Sequence, residues 1–251
     1  MPSTPAAKDP VVLSYAALRR SVGIVAVAFP FVVTVPVYLL CDHTIASSLS
    51  ANYYQITRNF FVGMLCAISL FMFCDRGYDL KDEIAGILSS IFALGVAFFP
   101  TTPDECATHF QKFIGHAHYF FATALFSTLA YFCLVLFRTT AVNRHVTHKK
   151  LQRNKVYRAC GIAIVASMAA IAALSLLDNK NTFNVDYWIK RLHTTPILES
   201  IALIAFGLAW LVKGDFVASL NDPNPAPTQT LTTNRIFGLV NRAAPESDAN
   251  N

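Results

Sequence analysis

Arg58 and Glu199 are the opposite charges best placed for chemistry inside a chain that is otherwise strongly apolar. Counted at the helical rise, Arg58 sits roughly 24 Å from Cys74 and Glu199 about 21 Å from Lys213. Charges of opposite sign at matching depth predict an ion pair between two helices, bonded through the guanidinium fork. Histidines gather on the same side. His43, His109, His116, His118 and His193 fall near one set of chain turns, and only His145 and His148 near the other. With Asp42, Asp104, Glu105 or Glu199 they suggest a metal or acid–base site, with His109, His116 and His118 as the metal-ligand candidates. Spacing limits the idea. His116 and His118 point about 200° apart on a regular helix, and His109 shares a face with His116 only if the helix starts before Gly115. No HExxH, Walker, GxSxG or dinucleotide signature occurs.

The elements that must hold these residues are apolar segments. Of 251 residues, 54% are hydrophobic and 14% charged, well below the roughly one quarter charged in soluble domains. Six segments stand out, at 21–41, 55–74, 84–100, 117–137, 159–177 and 197–212. Each approaches the roughly 20 residues that cross a hydrocarbon core as a helix. Uniform apolarity, with no alternation, argues against a β-barrel. The fold class expected is therefore all-α: a polytopic membrane bundle of six transmembrane helices at 21–214. A short segment, 1–20, precedes it and a disordered tail, 215–251, follows. The first segment follows Arg19 and Arg20 but is too long for a signal core, and Pro30 and Pro36 predict a kink in it.

Charge sets the orientation. Of the 20 Lys and Arg, only Arg58, Lys112, Lys180, Lys190 and Arg191 fall on one side, and the other side holds the remaining fifteen. The positive-inside rule then puts both termini in the cytoplasm, in an inner membrane. Nearly half of the inner charge lies between Arg138 and Arg158, as a topology anchor or a site for anionic lipid head groups. A net charge of +5 is thus a matter of topology, and nucleic acid is not an expected partner. Membrane lipids are, along with a partner membrane protein or a second copy of the chain. Ala166 and Ala170, four apart in the fifth segment, suit close helix packing, most simply within the chain. Six cysteines show no metal spacing; Cys41 and Cys106 lie near the outer face, more simply as free thiols than as a pair. In CDRGYDLKDE, Gly77 with Asp75 and Asp79 reads as a tight turn, and Asp82 with Glu83 suits a helix start.

The runs NYYQITRNFFVGMLCAISLFMFCDRGYD, AGILSSIFALGVAFFPT, HAHYFFATALF, NKVYRACGI and LESIALIAFGLAWLVKG resemble the family of unknown function numbered 998, uncharacterised bacterial multi-pass membrane proteins. The resemblance spans about 52–214 and implies topology and source but no reaction. Its matching polar positions are Arg58, Asn59, Tyr78, Asp79, His118 and Glu199. Membrane hydrolases that hold zinc with three histidines, an aspartate and a serine carry paired histidines on a late helix, which this chain lacks. The expected function is a non-enzymatic membrane protein without a cofactor. Its outward polar pocket, with Arg58, Asn59, His118 and Glu199, would take a small anionic or lipid-like ligand or a partner. The alternative is a metal-dependent enzyme acting on outer-leaflet lipid, with zinc held by the histidines.

Overall fold

The computed structural model describes residues 10–75, 80–103, 106–139, 147–179 and 193–221, and these are helical, with no strand. Among the described residues six α-helices follow one another: α1 (Pro10–Leu40), α2 (Arg58–Cys74), α3 (Leu80–Phe98), α4 (His109–Leu134), α5 (His148–Asn179) and α6 (Thr194–Lys213). Short 3₁₀ turns lie at Ser50–Tyr54, Leu136–Arg138 and Ala218–Leu220. Each helix packs on its neighbours in sequence, and α1 closes the ring against α6. α4 also reaches α6 across the interior.

Four of these helices, α1, α4, α5 and α6, are long and apolar enough to cross a membrane. α2 is apolar but has 17 residues, and α3 opens on Lys81, Asp82 and Glu83. Large apolar side chains such as Leu39, Phe60, Phe120 and Leu176 stand more than half exposed on the outside of the ring. Water would not tolerate such a surface; hydrocarbon does. The chain is a helical membrane protein.

Three helices start well before the apolar segments that marked them. α1 begins at Pro10, inside the expected N-terminal segment; proline suits a first helical position because its missing N–H would be unpaired there anyway. α4 begins at His109 behind a capping box, with Thr108 accepting from the Gln111 backbone and Gln111 reaching back to Thr108. α5 begins at His148. Hydropathy locates the stretch that suits lipid, whereas a helix continues into polar sequence until a cap stops it. α1 runs unbroken through Pro30 and Pro36. The Thr57 hydroxyl donates to the Val33 carbonyl at 2.9 Å, next to the Val32 carbonyl that Pro36, without an N–H, leaves lacking its usual donor.

Closure of the ring rests on two glycines. A Cβ added at Gly23 would lie 2.8 Å from the Gly207 carbonyl oxygen, and one added at Gly207 would lie 2.8 Å from the Gly23 carbonyl oxygen. Only hydrogen fits at either position. On α5 the close approach uses Gly161, set against Leu134 and Cys133 of α4. Ala166 is exposed and Ala170 only half-buried, so the small-residue pair expected to pack within the chain instead points largely away from it. Towards α6 the interior is aromatic: Trp210 packs on Phe132, Phe137 and Phe206, and Phe137 on Tyr157.

Candidate functional sites at the two ends of the ring

The expected pair of Arg58 and Glu199 is not made. Arg58 opens α2, is exposed, and its guanidinium donates to the Tyr53 hydroxyl at 2.6 Å while lying 4.3 Å from that ring's centre. Glu199 instead accepts the Leu49 backbone N–H at 2.5 Å. The reason lies in the link between α1 and α2. It does not run straight between helices but folds a 3₁₀ turn over the end of the ring, offering Glu199 an otherwise orphaned backbone donor. That turn is a crosspiece. Glu199 holds its start, Asn52 is buried and donates to the Leu49 carbonyl at 3.1 Å, and Tyr54 at its end donates to the Thr101 carbonyl at 2.7 Å. Burial and the neighbouring Tyr53 hydroxyl raise the pKa of the Tyr54 phenol, and Arg58 opposes them.

His118 is 2% exposed, and its Nδ1 lies 2.7 Å from the Phe99 carbonyl oxygen at the end of α3. A carbonyl only accepts, so Nδ1 carries the proton and donates. His118 thereby satisfies a carbonyl at a helix C-terminus, where intrahelical partners run out. His116 bonds the Lys112 carbonyl at 2.6 Å and, like His109 and Asn59, is exposed. α4 does start early enough for His109 and His116 to share a face, yet His118 turns inward. Among the described residues no three His, Cys, Asp or Glu side chains come together as a metal-binding group. Arg58, His118 and Glu199 are thus each engaged with a different partner. All six cysteines, Cys41 and Cys106 included, are free thiols. Tyr78, Asp79, Asp104, Glu105 and the tail beyond 221 lie outside the described residues.

These contacts predict additivity. Replacing Glu199 by Ala orphans the Leu49 N–H and should cost about 1–3 kcal/mol. Combining it with Arg58→Ala should add the two single losses to within about 0.5 kcal/mol. Unfolding in detergent measures this; strong rescue of one change by the other would restore the ion pair.

The opposite end of the ring holds more ionisable groups, among them Asp75 of the expected tight turn and much of the Lys and Arg that sets the expected orientation. The N-terminal third of α1 meets the ends of α2 and α6 there. Arg19 Nε lies 3.0 Å from Asp75 Oδ1, with the two side chains 12% and 9% exposed. Arg20 donates to the Gly214 carbonyl at 2.7 Å. Lys213 lies 5.3 Å from the centre of the Phe137 ring and within electrostatic reach of Arg19, Lys150, Asp75 and Asp82. Burial raises the pKa of the Asp75 carboxyl, against the pull of Arg19. One turn back along α6, the Trp210 indole nitrogen is buried and, among the described residues, has no hydrogen-bond partner.

Much of the basic charge at this end has a structural use. α2, α4 and α6 all terminate here, and their last carbonyls need donors. Arg138 donates to Leu134 at 2.9 Å, and Lys150 to Phe137 at 2.9 Å and Thr139 at 3.2 Å. Lys149 and Arg153 of α5 donate to the Ser219 and Leu220 carbonyls, tying down the segment after α6. A spacing signal existed for part of this: Trp210 and Lys213, three apart, share a face. The contact of Arg19 with Asp75, 56 residues away, left no local trace in the sequence. No family model, curated protein or solved structure matches this chain.

Proposed function

We propose that the chain is a six-span membrane protein with both ends cytoplasmic, acting as a non-enzymatic binding protein for a small anionic or lipid-like ligand. α2 and α3 supply the two further spans, and the end rich in Lys and Arg faces the cytoplasm. The ligand class is the one the sequence suggests, but the site moves to the inner end. At the outer end Arg58, His118 and Glu199 are already engaged. At the inner end a buried indole N–H lacks an acceptor among the described residues, one turn from Lys213, and that observation carries the reading. A buried donor without a partner is costly, and a ligand oxygen beside Lys213 would relieve it.

Native mass spectrometry from mild detergent tests this. Wild-type protein should carry a small adduct that Trp210→Phe with Lys213→Met removes and that Arg58→Gln leaves in place. No adduct on the wild type, or one retained by the double variant, would sink the reading.

A further inference from the structure

We infer that the groove between α4 and α5 at the basic end binds an anionic phospholipid, with Arg138, Lys155 and Arg158 on its phosphate. This shares with the proposed function only the placement of the basic end at the cytoplasmic leaflet. It concerns a different surface, on the outside of the ring.

Three observations meet there. The first is charge. Between Glu105 and Asp178 the sequence contains no Asp or Glu, while Arg138, Arg144, Lys149, Lys150, Arg153, Lys155 and Arg158 crowd the turn between the two helices. No carboxylate on this hairpin can neutralise them. Lys149, Lys150 and Arg153 donate to backbone carbonyls. Lys155 and Arg158 are exposed and, among the described residues, have no hydrogen-bond or ion-pair partner. Arg138 is also exposed and commits one nitrogen, Nη1, to Leu134, out of a guanidinium that offers five N–H donors.

The second observation is placement. Gly161 of α5 meets Leu134 and Cys133 of α4, which fixes the register of the antiparallel crossing. From that contact Arg158 lies about 4.5 Å and Lys155 about 9 Å towards the basic end, and Arg138, in the 3₁₀ turn after α4, reaches back to the Leu134 carbonyl of the contact itself. All three therefore fall within a depth of about one turn.

The third is direction. Leu151, Lys155, Arg158, Ile162 and Val165 alternate four and three apart, forming one stripe on α5, and every one of them is exposed. Tyr131 near the end of α4 is exposed, and so are Val135, which caps it, and Arg138 in the 3₁₀ turn that follows. Measured from Gly161 and Leu134, both sets are displaced in the same rotational sense, by about 40–120° at 100° per residue. Because the helices run in opposite directions, equal rotations turn both sets to the same side of the crossing. The result is a groove with cations at the head-group level and apolar side chains (Tyr131, Val135, Ile162, Val165) just below. That order of chemistry along a surface matches a phospholipid, phosphate first and acyl chain next. A soluble anion would have no use for the apolar part. A bare topology anchor would need the charge but not the groove.

Delipidated protein in mild detergent, offered equal amounts of phosphatidylglycerol and phosphatidylcholine, tests the site by native mass spectrometry. Wild type should retain phosphatidylglycerol preferentially. Arg138→Gln, Lys155→Gln and Arg158→Gln together should reduce that preference at least about ten-fold, while exchanging Lys for Arg and Arg for Lys at the same positions preserves it. A triple neutralisation at Lys8, Arg235 and Arg242, equal in charge, should leave it unchanged. Excess glycerol phosphate should not displace the bound lipid. The inference is overturned if the groove variant keeps its selectivity, if the control variant loses as much, or if the soluble phosphate competes fully. Thermal unfolding of each variant shows whether the fold persists, which is expected because all three side chains are exposed. The adduct proposed at Trp210 depends on Trp210 and Lys213 and not on Arg138, Lys155 or Arg158, so the two sets of variants let either result fail without the other.

Discussion

Gly207→Val should destabilise the protein by about 3 kcal/mol, near the upper end of what overpacking costs, and should open the ring between α1 and α6. The added carbon at Gly207 falls 2.9 Å from the Val27 backbone nitrogen as well as 2.8 Å from the Gly23 carbonyl oxygen. Neither atom can turn aside like a side chain, so the α1 backbone has to retreat. Even Gly207→Ala should lose stability, although alanine favours a helix over glycine by roughly 1 kcal/mol. Gly63 provides the comparison. It also sits within a helix, α2, yet a Cβ there meets nothing within 4 Å. Gly63→Ala should therefore stabilise by a few tenths to about 1 kcal/mol. Unfolding both alanine variants by SDS titration in mixed micelles gives the comparison, and shifts of the same sign would show that α1 and α6 are not in backbone contact.

The second large effect concerns Arg19 and Asp75. Removing either partner leaves the other buried without its ion-pair contact, and a stranded buried charge costs about 3–5 kcal/mol. Asp75→Leu should approach that range. Arg19→Leu with Asp75→Leu should lose clearly less than the two single changes summed, because apolar replacement of both removes the desolvation penalty along with the attraction. The same unfolding assay reads the coupling. Simple additivity would mean that Arg19 and Asp75 are independently satisfied by other neighbours.

These two effects mark where the sequence stopped being informative. The all-helical class, the approximate positions of the apolar helices and the one-sided distribution of charge are all local or compositional, and they are readable because lipid imposes a length and an apolarity on any segment that crosses it. Pairing is different. Depth along a helix follows from the residue number, and that is how Arg58 and Glu199 came to look like partners. Contact also needs the angular position of each helix and the path of the loops between them. Folding the Ser50–Tyr54 turn across the end of the ring gave Glu199 a backbone partner instead. His118 shows the same limit: its type suggested metal or acid–base chemistry, while its neighbour, a carbonyl nineteen residues earlier, makes it a helix cap.

From sequence alone it was determined that this chain is a bundle of apolar helices with its positive charge collected at one end, since composition and spacing answer directly to the solvent. Only the tertiary structure decided that the bundle closes as a ring through Gly23 and Gly207, that Arg19 belongs with Asp75, and that the basic residues between Arg138 and Arg158 divide into those that donate to helix-end and loop carbonyls and those left facing outward. Each of those depends on groups far apart in the chain arriving at one place, and no local pattern encodes such a meeting.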